Sequence, residues 1–273
     1  MSFGKIIKKW QDKKDSDVVV SPLMSWISEQ TKKDTRKKDP LLHISEMYYL
    51  CPRNKILELL FLDLLTYPEP VLQAKFDVGH MFHYWYQNRY LGPMGILHGC
   101  WKNRKTEDVI TGFMPSPFEE YEYIEPSVSI PKYGMVGRCD GLLDRGDGPW
   151  VIDLKTQDPA LFKACMEAYE AHRMQVNLYM YGLEIERGLL LYLDKSVNGK
   201  FPCKEFKVCR DDRLLSMAFA KAQIYQQALV DKKFPECICT KTAKAKCLCG
   251  QFDDKKIDEI EKRWRAGELN IAS

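Results

Sequence analysis

The stretch "GRCDGLLDRGDGPWVIDLKTQ", residues 137–157, constrains the fold most, because it places charged side chains inside two runs that are otherwise typical of strands. Two glycines mark a turn between the runs, and "WVIDLKT" predicts a short strand. Burying a charge without compensation is costly. We therefore expect Asp140, Asp153 and Lys155 to face a metal ion, a partner or solvent.

Side-chain alternation along this strand places Asp153 and Lys155 on one face, while Ile152 and Leu154 point to the other face and into the core. If Asp140 ends the neighbouring antiparallel strand, its carboxylate approaches that of Asp153, and the two repel unless a cation lies between them. Mg²⁺ or Mn²⁺ prefers such oxygen ligands and lowers the pKa of a bound water, which Lys155 would then orient. A surface salt bridge between Asp153 and Lys155 is the alternative.

The rest of the chain alternates helical and strand patterns. Helical spacing before the central stretch is interrupted at Pro52, and a long aromatic-rich helix follows it, whereas residues 92–117 give no clear pattern. From Glu119 to Thr156 three strands are predicted as an antiparallel meander, followed by a helix, two strands and a helix. The order predicts one α/β domain with small terminal additions.

Upstream of "GRCD" and "VIDLKT", "GHMFH" supplies Gly79 and His83, and downstream "QVNLY" supplies Gln175 and Tyr179. In these four elements the sequence resembles the RecB-like branch of the PD-(D/E)xK nuclease superfamily. His80 is a competing candidate for the histidine position. The four elements occur in the family's order and cover roughly residues 44 to 195.

The resemblance implies a restriction-endonuclease-like core with a central mixed sheet flanked by helices, and it implies a role for each matched residue. A Mg²⁺ or Mn²⁺ ion would be held by His83, Asp140, Asp153 and the main-chain carbonyl of Leu154. Lys155 would serve the attacking water. The residues that would orient the site and the DNA strand are Gln175 and Tyr179.

The implied reaction is hydrolysis of a DNA phosphodiester by metal-activated water, most simply as an exonuclease acting on ends or single strands in recombination, repair or phage DNA metabolism. Three alternatives remain. They are an endonuclease of the same fold, a non-catalytic DNA-binding or assembly protein that keeps the fold, and an unrelated enzyme followed by a zinc-ribbon-like interaction module. Because no P-loop motif is found, any unwinding would need a helicase or recombination protein as partner.

Five of the ten cysteines are candidates for a metal site. "ECICTKTAKAKCLCG" places Cys237, Cys239, Cys247 and Cys249 as two C-x-C pairs separated by seven residues, which could form a self-contained Zn²⁺ site. "ISEMYYLCPR" with Cys51 also resembles the start of RecB-like nucleases that carry a [4Fe-4S] cluster, of the AddB and CRISPR-adaptation types. That resemblance implies a cluster held by Cys51 and three of the four late cysteines, although the family's late pattern differs.

Charge and hydropathy organise the remainder. Residues 1–38 hold ten Lys or Arg against five Asp or Glu, so a basic arm is expected over 1–40, either solvated or on a DNA backbone. The expected divisions are a nuclease domain over 41–232, and a Cys-rich metal-binding appendage with a C-terminal helix over 233–273.

No apolar run approaches the roughly 20 residues of a membrane span, and no secretion signal is seen. A cytoplasmic protein is expected, in the host cytoplasm if it is viral.

Overall fold

The computed structural model describes residues 40–64, 70–195, 203–239 and 247–271, and Glu29. The basic arm predicted over 1–40 lies outside the described residues apart from Glu29 and Pro40, so its role stays a prediction.

The described chain is a mixed α/β protein in which ten strands lie among seven α-helices, some of them very short. The strands are β1 (Leu42–His43), β2 (Leu97–Asn103), β3 (Val109–Phe113), β4 (Tyr121–Ile124), β5 (Ser127–Ile130), β6 (Met135–Arg138), β7 (Gly141–Asp144), β8 (Pro149–Gln157), β9 (Gly188–Asp194) and β10 (Cys203–Val208). The helices are α1 (Pro52–Leu60), α2 (Pro70–Trp85), α3 (Pro159–Ala164), α4 (Glu170–Leu183), α5 (Asp212–Asp231), α6 (Leu248–Gln251) and α7 (Asp254–Arg265).

Within the described residues the larger sheet has seven strands, in the order β10-β9-β8-β7-β2-β3, with β4 pairing β2. The β8–β9 pair is parallel and every other pair in this sheet is antiparallel, so the sheet is mixed as expected. The parallel connection from β8 to β9 runs through α3 and α4, as a parallel crossover requires. The central strand β8 therefore has a hydrogen-bonded neighbour on each side.

The predicted three-strand meander over Glu119–Thr156 is wrong in part. The first predicted strand is divided into two observed strands, β4 and β5. β4 pairs with β2, and β5 pairs with β6. The second predicted strand is also divided into two, β6 and β7. β6 belongs to a separate sheet of three described strands with β1 and β5, whereas β7 pairs with β8. The antiparallel β5–β6 and β7–β8 pairs have the predicted pairing, but they belong to different sheets. Asp140 lies in the break between β6 and β7 and does not end a strand.

Two apolar clusters cover the two faces of the larger sheet, as strand alternation requires. Val151 and Tyr192 belong to the cluster that includes α4 and α5, whereas Ile152 and Leu154 belong to the cluster formed with β2 and the π-helical turn Tyr86–Leu91 that extends α2. Asp153 therefore points from the middle of β8 toward the face covered by α4.

The late segment packs into the first of these clusters. Leu248, Cys249 and Trp264 are buried together with residues of α1 and α5. Arg53 at the start of α1 donates from Nε to the carbonyl of Pro235 at 2.6 Å. Within the described residues, no helix is both long enough and apolar enough to cross a membrane.

Candidate active site

Asp140 and Asp153 meet at the start of the β7–β8 hairpin pairing. Gly141 on β7 pairs with Ile152 on β8, which places Asp140 at the position opposite Asp153. Both are buried, with 8% and 2% of their surface exposed. Two carboxylates are thus buried side by side. Burying these charges is costly unless cations or hydrogen-bond donors compensate for the lost hydration.

Two elements supply partners for Asp140. Its Oδ1 lies 3.1 Å from Nδ1 of His83 on α2, and its Oδ2 accepts the backbone N–H of Leu154 at 2.5 Å. The structure therefore brings His83 to the site, whereas His80 is exposed on the same helix. The position of the Leu154 carbonyl as a metal ligand stays a prediction.

Asp153 is joined to a polar network that reaches into α4. Lys155 Nζ lies 2.9 Å from Asp153 Oδ2 and donates to Gln175 Oε1 at 3.0 Å. Gln175 Nε2 donates to Asp153 Oδ1 at 3.3 Å and to the hydroxyl of Tyr179 at 2.9 Å. The residues 175 and 179 lie one helical turn apart, so one face of α4 bears on the acid and the lysine together.

The pKa values of the two buried carboxyl groups are shifted in opposite directions. Burial, and then the charge of Asp140, raise the pKa of Asp153 to about 6 against the attraction of Lys155. Burial also disfavours the charged form of Asp140, but the hydrogen bond and charge of His83, with the charge of Lys155, outweigh it and lower its pKa. The pKa of Lys155 is raised, since the two carboxylates outweigh its burial. The site thus holds a charged lysine beside one carboxylate whose pKa is lowered and one whose pKa is raised.

Two observations fit a divalent cation at this position. Asp153 Oδ2 is buried and receives no well-aligned hydrogen bond, even though Lys155 Nζ is near it. Ligand atoms of His83, Glu125 and Asp140 all lie within 4.8 Å of one another. An oxygen-rich set with one imidazole suits Mg²⁺ or Mn²⁺.

Glu125 is the residue that sequence reasoning missed. It follows β4 directly and precedes Pro126, and its Oε1 accepts a hydrogen bond from Gln87 Nε2 at 3.2 Å. The same amide donates to the main-chain oxygen of Asp140 at 2.8 Å, so Gln87 ties the glutamate to the break that carries Asp140. A carboxylate at the end of a strand was the only signal in the sequence, and many such carboxylates are merely solvated.

The cysteines that sequence analysis singled out also converge. The Sγ atoms of Cys51, Cys237, Cys239 and Cys249 all lie within 4.8 Å of one another. Cys51 and Cys249 are 3.9 Å apart, and their hydrogen bond lowers the pKa of Cys51 to about 4. Cys247 lies outside this group of four, with its Sγ 3.5 Å from that of Cys239. The grouping is Cys51 with three late cysteines, and it is distinct from the set formed by the late four alone.

No family model matches the sequence, and no curated protein matches it. Among solved structures, the protein SSO0001 aligns at a TM-score of 0.47 and 13% identity, over 86% of this chain and 96% of its own. An alkaline exonuclease from Laribacter hongkongensis aligns at 0.45 and 10%, over 76% and 93%. A phage-related exonuclease from Haemophilus somnus aligns at 0.36 and 12%, over 70% and 96%. At these TM-scores the similarities assign neither a family nor an activity.

Proposed function

We propose that this protein is a metal-dependent DNA nuclease that hydrolyses phosphodiester bonds, with exonucleolytic cleavage of ends or single strands as its favoured mode. The observation that carries the proposal is the buried pair Asp140 and Asp153, joined to Lys155 and to His83 within one hydrogen-bonded site. A stability role alone does not account for it, since burying carboxylates side by side opposes folding.

In this proposal a Mg²⁺ or Mn²⁺ ion would be held by His83, Asp140 and Asp153, and Glu125 and the carbonyl of Leu154 would be further ligands. When bound, the ion lowers the pKa of a water and polarises the phosphate. The Asp153 Oδ2 atom that lacks an aligned donor is available to it.

Lys155 and Gln175 do the remaining positioning. The lysine is held in its charged form by the carboxylates, so it stabilises negative charge that grows on the phosphate and orients the attacking water. Gln175 fixes the lysine through its Oε1 and the acid through its Nε2. Tyr179 anchors the amide of Gln175 from one turn further along α4.

The experiment that tests the proposal is digestion of an end-labelled linear DNA beside a covalently closed circle, with Mg²⁺ or Mn²⁺ and with chelator as control. Loss of label from the linear DNA with an intact circle supports an exonuclease. Cleavage of the circle supports an endonuclease of the same fold. Binding without cleavage of either DNA would overturn the enzymatic assignment and leave a DNA-binding or assembly protein.

We also propose that Cys51, Cys237, Cys239 and Cys249 hold one structural metal group that joins the nuclease domain, 41–232, to the segment 233–273. The edge of a tetrahedral Zn²⁺ site with bonds of about 2.3 Å is about 3.8 Å, close to the 3.9 Å between Cys51 and Cys249. A [4Fe-4S] cluster is larger and needs the sulfurs further apart. Its visible absorption, which zinc lacks, distinguishes the two. A DNA substrate, a helicase or recombination partner and a cytoplasmic location complete the proposal.

A further inference from the structure

A buried tyrosine and a histidine extend the polar network beyond the residues already described. Tyr192 on β9 pairs with Lys155 on β8 in the parallel register, so both side chains point to the face covered by α4. The tyrosine is fully buried. Its hydroxyl lies 2.8 Å from Nδ1 of His172 and accepts the backbone N–H of Tyr169 at 3.0 Å.

These contacts determine which ring nitrogen of His172 carries the proton. Among the contacts of the Tyr192 hydroxyl in the described chain, Tyr169 is a donor and His172 Nδ1 is the only acceptor. A buried hydroxyl proton without an acceptor is costly, so Tyr192 donates to Nδ1. The hydrogen of the neutral imidazole then resides on Nε2. Burial, and then the charge of Lys155, lower the pKa of His172 to about 4, which keeps the ring neutral.

His172 lies on the face of α4 that also carries Gln175, because it precedes Gln175 by three residues. It is half-buried, whereas its partner Tyr192 is fully buried. His172 Nδ1 is hydrogen-bonded to the buried Tyr192 hydroxyl. The opposite edge of the ring, which carries Nε2, is therefore directed away from Tyr192. Lys155, whose charge acts on this ring, is the residue we assign to the reacting phosphate.

We infer that His172 is a further substrate-contacting residue, whose Nε2–H donates a hydrogen bond to a non-bridging oxygen of the scissile phosphate beside Lys155. The inference rests on the proposed nuclease function and adds a neutral donor to it. Tyr192 acts as a positioning residue, because it holds the imidazole in the required tautomer. No bond is made or broken at either residue.

The test compares single-turnover cleavage of a single-stranded oligonucleotide that carries either a phosphodiester or, at the scissile position, one stereoisomer of a phosphorothioate. His172→Ala should lose about ten- to a hundredfold in rate on the phosphodiester, the usual effect of one hydrogen bond to a charged group. Sulfur accepts hydrogen bonds poorly. With the stereoisomer that places sulfur at the oxygen contacted by His172, the rate penalty for sulfur should therefore be smaller in the variant than in the parent.

The rate penalty is the cleavage rate of the phosphodiester divided by that of the phosphorothioate. Effects of the metal on sulfur are present in both the parent and the variant, so they cancel when the two penalties are compared. His172→Gln, which keeps a side-chain N–H, should recover part of the rate. Tyr192→Phe should lose several-fold while keeping the sulfur penalty of the parent. The exposed His43 on β1 is the matched control, and His43→Ala should cleave like the parent.

Each outcome decides the inference. Equal cleavage by the parent and His172→Ala overturns it and leaves the nuclease function intact. A rate loss in His172→Ala with an unchanged sulfur penalty for both stereoisomers also overturns it, because that result describes a structural role. A parent protein that cleaves neither oligonucleotide with Mg²⁺ or Mn²⁺ overturns the nuclease proposal and the inference together.

Discussion

Cys51 Sγ lies 3.9 Å from Cys249 Sγ, although the two residues are 198 positions apart in the chain. The contact joins the residue before α1 to a residue of α6, and the hydrogen bond from Arg53 to Pro235 reinforces it. A metal held across this contact closes nearly the whole described chain into one loop. Its binding free energy then counts as folding free energy.

The first prediction concerns this contact. Cys51→Ser should lose the bound metal and unfold about 10 °C lower, because a thiolate ligand and the loop closure are lost together. Metal analysis, visible absorption and thermal melting measure the three consequences. The exposed Cys209 is the control, and Cys209→Ser should keep both metal and melting temperature. Unchanged metal content in Cys51→Ser would instead assign the metal to the four late cysteines.

The second prediction concerns Asp153. Asp153→Asn should reduce cleavage at least roughly 1,000-fold, because it removes a proposed metal ligand. In the absence of metal its stability at pH 7 should equal or exceed that of the parent. Burial and the charge of Asp140 disfavour the Asp153 carboxylate and raise its pKa to about 6, and a neutral amide carries no such penalty. Asp144→Asn on β7 is the control for both assays. Full activity of Asp153→Asn with Mn²⁺ would show that the site is misassigned.

The third prediction separates metal binding from catalysis. Lys155→Ala should bind Mn²⁺ with unchanged or higher affinity, because a competing positive charge is removed, yet should lose roughly 100-fold or more in rate. Titration calorimetry and a nuclease assay on one preparation test both statements. Lys163→Ala, at an exposed lysine of α3, provides the comparison. A large loss of Mn²⁺ affinity in Lys155→Ala would contradict the assigned role.

The fourth prediction concerns Glu125, which lies within 4.8 Å of the ligand atoms of His83 and Asp140. Glu125→Gln should raise the Mn²⁺ concentration for half-maximal cleavage roughly tenfold or more, with a smaller effect at saturating metal. Glu122→Gln, on β4 near Arg104, should leave the metal dependence unchanged. If both variants behave alike, Glu125 is not a ligand.

The fifth prediction is a pH dependence of stability at His172. Its folded-state pKa of about 4 lies below the 6.5 of a free histidine, so the unfolded chain binds the proton first as the pH falls. The free energy of unfolding contributed by this residue is therefore fully present above pH 6.5 and decreases toward pH 4. His172→Gln should show a weaker loss of stability over that interval in urea titrations. A difference between parent and variant that is constant with pH would exclude a depressed pKa.

The sequence predicted the parts of the site that depend on local patterns. Alternation along β8 correctly separated Asp153 from Ile152, and the four-residue spacing of Gln175 and Tyr179 correctly placed them on one face of α4. These inferences need only the period of a strand or a helix. The grouping of Cys51 with late cysteines was likewise found, through a resemblance.

The missed features depend on contacts between distant segments. The break at Cys139 and Asp140, which sends β6 and β7 to different sheets, follows from pairing with β1 and β8. Glu125 joins the site through Gln87, which is 38 positions away. His172 becomes informative only beside Tyr192, which arrives with the next strand. No local pattern encodes such pairings.

The position of β8 has a consequence for how activity is lost. The strand carries Asp153 and Lys155, pairs with β7 on one side and β9 on the other, and is covered on both faces. Local unfolding begins at edge strands and chain termini, because residues there lose few contacts when they open. The proposed catalytic groups are therefore protected from such local unfolding, and heat inactivation should coincide with unfolding of the whole sheet.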